Sequence, residues 1–168
     1  MSASVRIICM GGTIDSSPEY DPAKKSIFDG SYISQALAQA RLRVDVAIEP
    51  LMQKDSADLT ASDRHMLLTA CEHASESQII VTHGTDTLIE TARYLGERGV
   101  GGKTVVLTGS FVPLSQNESD GPFNIGYAVA AADLVGSGVW IAMGGRVFSW
   151  DNVRKNFENA RFEKERED

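Results

Sequence analysis

Five short apolar runs alternate with helical patterns along this chain, and the alternation limits the folds that it can adopt. The runs lie at 5–10, 43–49, 78–83, 103–109 and 138–144. Several are nearly continuous stretches of valine and isoleucine, which is typical of strands that are covered on both faces. The sequence therefore predicts an α/β fold of three layers, in which a mostly parallel sheet carries helices on both faces.

The segments between these strands divide into helices and loops. Helical patterns occur at about 31–41, 61–75, 86–98 and 122–136. Residues 15–30 instead combine proline, aspartate, serine and glycine without apolar periodicity, and a second loop covers 110–122. A loop as long as 15–30 beside a strand is often a lid over a site, so we expect that role here.

The length of the chain and its charge narrow the kind of protein. A chain of 168 residues fits one domain with a substantial core, so we predict a single domain over 1–168. Its strongly charged end, about 157–168, is predicted to be a solvated or frayed tail. A net charge of −7 without a basic stripe argues against a nucleic-acid partner.

Two further features bear on the location of the protein. The first residues contain too short an apolar stretch for a signal peptide, and no later run is long enough to span a bilayer, so no membrane partner is expected. Cys9 and Cys71 fall in a predicted strand and a predicted helix, where both are expected to be core residues. Two such cysteines fit a reducing compartment, and we predict a cytoplasmic protein.

The segments that follow the strands carry the polar residues of interest. In order they are GGTID, PLMQKDSAD, HGTDT, GSF and GRVFSWDNVRKN. Ligands of open parallel sheets bind at the carboxyl ends of the strands, where such segments converge. Hydroxyls, carboxylates and a lysine are therefore expected at one edge of the sheet.

Two of these segments also have a purely structural interpretation. The GGT turn at 11–13 could be a tight turn or a weak phosphate loop, although it matches neither the dinucleotide fingerprint nor the P-loop pattern. Thr87 and Glu90 have the spacing of a capping box, which would place Thr87 at the start of a helix. That interpretation leaves Thr85 and Asp86 unexplained.

Other polar residues are equally open to a structural role. Ser56 and Asp58 could cap the second helix. His83 ends a strand and is more simply a hydrogen-bonded buried residue than a metal ligand, while His65 and His73 have no cluster of further ligands around them. We therefore predict neither a metal site nor a cofactor.

Five motifs together resemble one enzyme family. They are MGGTID (10–15), DSAD (55–58), HGTDT (83–87), DGPFN (120–124) and VRKN (153–156). In this order they resemble the bacterial-type L-asparaginase/glutaminase family, and GGTI with HGTDT is the most specific pair. The resemblance covers nearly the whole chain but only the N-terminal domain of the family, so a short form without the smaller C-terminal domain is expected.

The resemblance implies a catalytic threonine. Amide hydrolysis without a metal needs a nucleophile and donors for the developing oxyanion. The attacking threonine of the family corresponds to Thr13, and the backbone N–H groups around Gly12 and Thr13 are expected to be oxyanion donors. The lid tyrosine that polarises this threonine in the family corresponds to Tyr20.

A second catalytic group is implied by the same resemblance. The Thr–Lys–Asp arrangement of the family corresponds to Thr85, Lys155 and Asp86. Lys155 is preferred to Lys103, because Lys103 begins its strand and so lies at the opposite edge of the sheet. Provided that burial favours its neutral form, the lysine could activate the threonine hydroxyl or a water molecule.

Substrate recognition is also carried over from the resemblance. Asp86 would hold the α-ammonium group of the substrate, and Ser56 would bind its α-carboxylate. Ala57 stands where many relatives carry glutamine, which would remove one contact. Ser110 stands where the family orients the amide nitrogen with a backbone carbonyl.

These expectations combine into one predicted function and two rivals. We predict an amidohydrolase that converts asparagine to aspartate and ammonia, with glutamine as a minor substrate. One rival is a small-amino-acid binding or regulatory module without turnover, and a nucleotide-binding domain is a more distant one. A homo-oligomer is expected to close the pocket, with the alanine-rich helix at 127–135 as a candidate contact.

Overall fold

The computed structural model describes residues 4–24 and 28–167, so residues 25–27 of the predicted lid lie outside the described residues. Six strands form the main sheet: β1 (Ser4–Gly11), β2 (Asp45–Lys54), β3 (Gln78–Thr82), β4 (Thr104–Thr108), β5 (Gly138–Met143) and β6 (Arg146–Ser149). Their spatial order is β2-β1-β3-β4-β5-β6. The first five strands are parallel, and β6 runs antiparallel to β5.

Four helices connect these strands, and their ends differ from the predicted ones by at most two residues. They are α1 (Ile33–Ala40), α2 (Ala61–His73), α3 (Leu88–Arg98) and α4 (Gly121–Leu134). None of the helices in the described part of the chain has the length and apolar content needed to cross a membrane.

The sheet is buried on both faces, because successive side chains of its inner strands enter two different apolar clusters. In β3, Ile79 and Val81 join the cluster that contains residues of α2 and α3, whereas Ile80 joins the cluster that contains residues of α1 and α4. Cys9 and Cys71 are buried in these clusters as free thiols. The predicted three-layer α/β fold is confirmed.

The second strand is longer than predicted. The predicted run ends at residue 49, whereas the strand continues through Pro50 to Lys54. Because β2 is the outermost strand of the sheet, a missing proline N–H is tolerated there. The register with β1 shifts between Cys9 and Gly11, which indicates a bulge at the end of this strand pair.

The antiparallel strand β6 was not predicted. Gly144 and Gly145 have φ of 58° and 76° and connect β5 to β6, with Met143 paired to Arg146. A two-residue glycine turn with both φ angles positive is a strong hairpin signal, because its twist matches that of the flanking strands. The signal was therefore present in the sequence.

The charged end of the chain is not a frayed tail, and that prediction is wrong for residues 161–163. They form strand β8 (Arg161–Glu163), which pairs antiparallel with β7 (Arg154–Asn156). Phe162 is buried and joins the core, while Glu163 lies 2.8 Å from Arg154. The ion pair thus joins the two strands of the hairpin, and the buried aromatic ring packs the hairpin against the core.

Three alanines of α4 pack against its own sheet. Ala128, Ala131 and Ala132 are buried in the same cluster as Ile80 and Val106. Their small side chains let α4 approach the sheet closely, so these three residues are not available for contact with a second copy, whereas Ala130 of the same run is exposed.

Candidate functional site

Three turns at the carboxyl edge of the sheet touch one another through glycine backbones. A Cβ atom on Gly12, where φ is 79°, would lie 2.2 Å from Gly84 N. A Cβ atom on Gly84 would lie 2.6 Å from Ser56 Oγ. Glycine is required at both positions, because any side chain would push the turns after β1, β2 and β3 apart.

The turn after β1 carries Thr13 at the start of a 3-10 helix, Thr13–Asp15. Thr13 Oγ1 lies 3.4 Å from the phenolic oxygen of Tyr20, so the two side chains expected to act together are neighbours. The Gly12 N–H, one of the two expected oxyanion donors, is already engaged, since it donates to Lys54 O at 2.9 Å.

The first part of the predicted lid is anchored in the interior. Asp15, Ser16 and Ser17 are buried, and Asp15 Oδ1 accepts hydrogen bonds from Ser31 Oγ and Tyr32 N at 3.0 and 2.7 Å. Burial raises the pKa of the Asp15 carboxyl. This carboxyl joins the start of the predicted lid to the residues that follow it, and the lid role itself stays a prediction.

Lys155 joins the turn after β3 from a distant part of the sequence. Its Nζ lies 2.7 Å from Asp86 Oδ1 and 3.1 Å from Thr85 Oγ1. The lysine side chain is 9% exposed and the Asp86 side chain 64%, so the cluster has one buried and one open end. The ammonium group also faces the rings of Phe111 and Phe157, at 5.6 and 4.9 Å from their centroids.

Lys103 lies at the other edge of the sheet, as predicted. Its Nζ donates to the carbonyl oxygens of Ala74 and Glu76 at 2.6 and 3.0 Å. These carbonyls belong to the segment between α2 and β3, which precedes the strand rather than following it.

Ser56 lies deep in the turn after β2 and does not cap α2. It begins a 3-10 helix, Ser56–Asp58, and is buried. The cap of α2 is Thr60, which forms a capping box with Asp63. The alternative that Ser56 or Asp58 caps this helix is therefore wrong, because both belong to a 3-10 turn that ends before the helix begins at Ala61.

The capping box predicted at Thr87 and Glu90 is not formed. Thr87 is the N-cap of α3, but its hydroxyl oxygen accepts no hydrogen bond from the helix, and the hydroxyl donates to Ser56 O at 2.7 Å. Glu90 lies 3.3 Å from Arg64. The threonine hydroxyl thus joins the turns after β2 and β3.

The turn after β4 is held by Asp120 and Asn124, for which no individual role was predicted. Asp120 accepts from the N–H groups of Phe111 and Val112, and Asn124 donates to Asp120 and to Gly109 O. Ser110, which precedes these N–H groups, is buried and donates to Val112 O at 2.6 Å. The Asp-Gly-Pro sequence at 120–122, typical of a helix start, was the available signal.

His83 is a fully hydrogen-bonded core residue, as predicted. Its Nδ1 lies 2.7 Å from Gly84 O and its Nε2 lies 2.8 Å from Thr91 Oγ1. Burial lowers the pKa of the imidazole to about 4. Within the described residues, no group of three or more His, Cys, Asp or Glu side chains could hold a metal ion.

A family model described as "Asparaginase, N-terminal" matches residues 4–163. The chain belongs to the asparaginase family. L-asparaginase 2 of Bacillus subtilis is 30% identical over 90% of this chain and 44% of its own length. A probable periplasmic L-asparaginase of Haemophilus influenzae is 29% identical, over 94% of this chain and 47% of its own length.

The asparaginase fold is also found among solved structures. A probable cytoplasmic L-asparaginase of Campylobacter jejuni superposes with a TM-score of 0.84 at 26% identity, over 97% of this chain and 53% of that chain. The chain thus spans about half the length of the relatives that it matches.

Proposed function

We propose that this asparaginase-family chain hydrolyses the side-chain amide of L-asparagine to L-aspartate and ammonia, with Thr13 as the nucleophile. The observation that carries the proposal is the position of Lys155, whose Nζ is within hydrogen-bond distance of both Thr85 and Asp86. A lysine between a hydroxyl and a carboxylate is suited to proton transfer.

In the first step, Thr13 Oγ attacks the amide carbon. Tyr20, whose phenolic oxygen is 3.4 Å away, polarises the hydroxyl by accepting its hydrogen bond. The hydroxyl proton is transferred to the amide nitrogen, the carbon–nitrogen bond breaks, and the nitrogen leaves as ammonia. In the second step a water molecule, activated by the group of Thr85 and Lys155, splits the ester and releases aspartate.

Two backbone N–H groups are suited to the oxyanion. The Gly12 N–H already donates to the carbonyl oxygen of Lys54, so we assign the first oxyanion hydrogen bond to the N–H of Thr13. A second donor is the N–H of Thr85. Because Gly84 O accepts from His83 and the peptide is trans, the Thr85 N–H of the same peptide points away from the imidazole.

The substrate is held by its charged groups. We assign the α-ammonium group to Asp86, which is exposed and paired on its inner side with Lys155. We assign the α-carboxylate to Ser56, beside Gly84, and the amide nitrogen to the backbone carbonyl of Ser110. Glutamine, longer by one methylene, is expected to be a minor substrate.

The oligomer and the location belong to the same proposal. A homo-oligomer is proposed because Asp86 and Lys155 line an open groove of about 690 Å³ that continues along α3. We propose a cytoplasmic location, which fits two buried free thiols.

Ammonia release from asparagine and glutamine by the purified chain tests the proposed function. Release from asparagine that exceeds release from glutamine is the expected result. Binding of aspartate without ammonia release would favour an amino-acid binding module instead.

A further inference from the structure

A buried polar chain runs behind the turn that carries Thr85 and Asp86. Arg64 on α2 donates from Nε to Thr91 Oγ1 on α3 at 3.0 Å. Thr91 Oγ1 lies 2.8 Å from His83 Nε2, and His83 Nδ1 lies 2.7 Å from Gly84 O. Arg64, Thr91 and His83 are 5%, 0% and 0% exposed, so this chain is shielded from solvent.

The two ends of this chain determine the positions of its protons. The carbonyl oxygen of Gly84 can only accept a hydrogen bond, so His83 Nδ1 carries a proton. The guanidinium Nε of Arg64 can only donate, and it donates to the Thr91 oxygen. With neutral His83, Nε2 is an acceptor and the Thr91 hydroxyl donates to it. The positive charge of Arg64 also disfavours a second proton on the imidazole.

The same arginine reaches a second turn of the site. Arg64 Nη1 donates to Leu59 O at 3.2 Å, and Leu59 closes the 3-10 helix that begins at Ser56. Arg64 therefore bonds directly to the segment after β2 and, through Thr91 and His83, to the turn after β3.

We propose that Arg64 is a positioning residue: through the Thr91 hydroxyl it holds His83 in the Nδ1–H form, and His83 in turn fixes the Gly84–Thr85 peptide. The catalytic consequence rests on the proposed function, since this peptide carries the Thr85 N–H toward the expected oxyanion. Gly84 is packed tightly against Gly12 and Ser56, so a small rotation of the peptide would move all three turns.

The proton position is measured directly by NMR. In a His65→Gln, His73→Gln background, His83 is the one remaining imidazole of the chain, since the sequence has three histidines. Long-range ¹H–¹⁵N correlation of this protein should show a proton on Nδ1 and none on Nε2, without titration between pH 5.5 and about 8. A proton on Nε2 in that range would overturn the proposal.

The link to Arg64 is tested by two pairs of variants. Arg64→Met should raise the pH at which His83 titrates, because a nearby positive charge is removed, whereas exposed Arg98→Met should leave it unchanged. Thr91→Val should shift the Nε2 resonance and the Thr85 amide resonance, and Thr91→Ser should restore both. The two resonances followed in the Thr91 variants depend on hydrogen bonding at His83, and they can be measured even if Arg64→Met does not fold.

Kinetics on asparagine supply the functional measurement. Thr91→Val should lower kcat by roughly tenfold to a hundredfold with a smaller change in KM, and Thr91→Ser should recover most of the loss. Equal kcat and an unmoved Thr85 amide in Thr91→Val and wild type would overturn the positioning role. If the wild-type chain releases no ammonia, the proposed function fails, and the NMR measurements alone decide the proposal.

Discussion

Lys155 is paired with Phe162 across the β7–β8 hairpin, so the position of the site lysine is set by a buried ring near the end of the chain. The Phe162 ring also contacts Phe111, with centroids 6.4 Å apart, and Phe111 follows Ser110 in the turn after β4. A segment with the composition of a solvated tail therefore supports both the lysine and a neighbouring turn of the site.

Phe162→Ala should lower both stability and activity. Removing a buried aromatic side chain typically costs about 3–5 kcal/mol, and this hairpin has few other apolar contacts. We expect a lower Tm in thermal unfolding and a lower kcat, because Lys155 loses its fixed position. Phe123→Ala is the matched control, since Phe123 is 62% exposed. A Phe162 variant with wild-type kcat would show that the hairpin does not position the lysine.

Thr13→Ala should remove nearly all hydrolysis while the fold stays intact. Loss of a covalent nucleophile costs several orders of magnitude in kcat. Ammonia release measures the loss, and circular dichroism checks the fold. Thr69→Ala, at an exposed threonine on α2, controls for the loss of a threonine. If Thr13→Ala keeps a kcat near that of wild type, Thr13 is not the nucleophile and Thr85 becomes the candidate.

Lys155→Met and Asp86→Asn should separate chemistry from binding. Lys155→Met should depress kcat far more than it raises KM, because the lysine acts in proton transfer. Asp86→Asn should harm both constants, since Asp86 contacts the lysine and is assigned to the substrate ammonium. Lys103→Met, at the opposite edge of the sheet, should leave both constants unchanged. Effects of the two site variants confined to KM would contradict these roles.

The main sheet could be predicted because each of its inner strands carries apolar residues on both faces. Ile79, Ile80 and Val81 fill two different clusters, and a short continuous run of this kind is typical of a strand buried on both faces. The β7–β8 hairpin could not be predicted in the same way. Its one buried apolar residue, Phe162, stands among charged residues, so no periodic pattern marks the strand.

Site residues that directly follow the strands could be predicted from the sequence. Hydrogen bonds between side chains and distant turns could not. Lys155, Thr85 and Asp86 meet as expected. The hydroxyl of Thr87 donates to Ser56 O, in a turn distant in sequence, and does not accept from the start of its own helix as the spacing predicts. Local spacing contains no information about such a partner, and the roles of Arg64 and Asn124 were missed for the same reason.

Burial of His83 should make stability depend on pH. The folded imidazole has a pKa of about 4, below the ordinary value of 6.5, so the unfolded chain binds its proton first as pH falls. The free energy of unfolding should therefore decrease between pH 6.5 and about 4, by on the order of 3 kcal/mol from this group. Urea unfolding of wild type and His83→Asn isolates the contribution. Exposed His73→Gln should keep the wild-type slope, and a His83→Asn variant with that same slope would disprove the assignment.

The chain should form a homo-oligomer whose contact lies beside the site. Phe157 is 73% exposed next to Lys155, and the groove along α3 is open, so an uncovered site would admit water to each of its polar contacts. Closed two-fold pairing is the commonest soluble assembly, and a second copy is the simplest cover. Sedimentation at micromolar concentration should find a dimer or larger species that Phe157→Ser weakens. Leu134→Ser, at a residue on the last turn of α4 that is 83% exposed, should not weaken it. A monomer that is fully active on asparagine would refute the prediction.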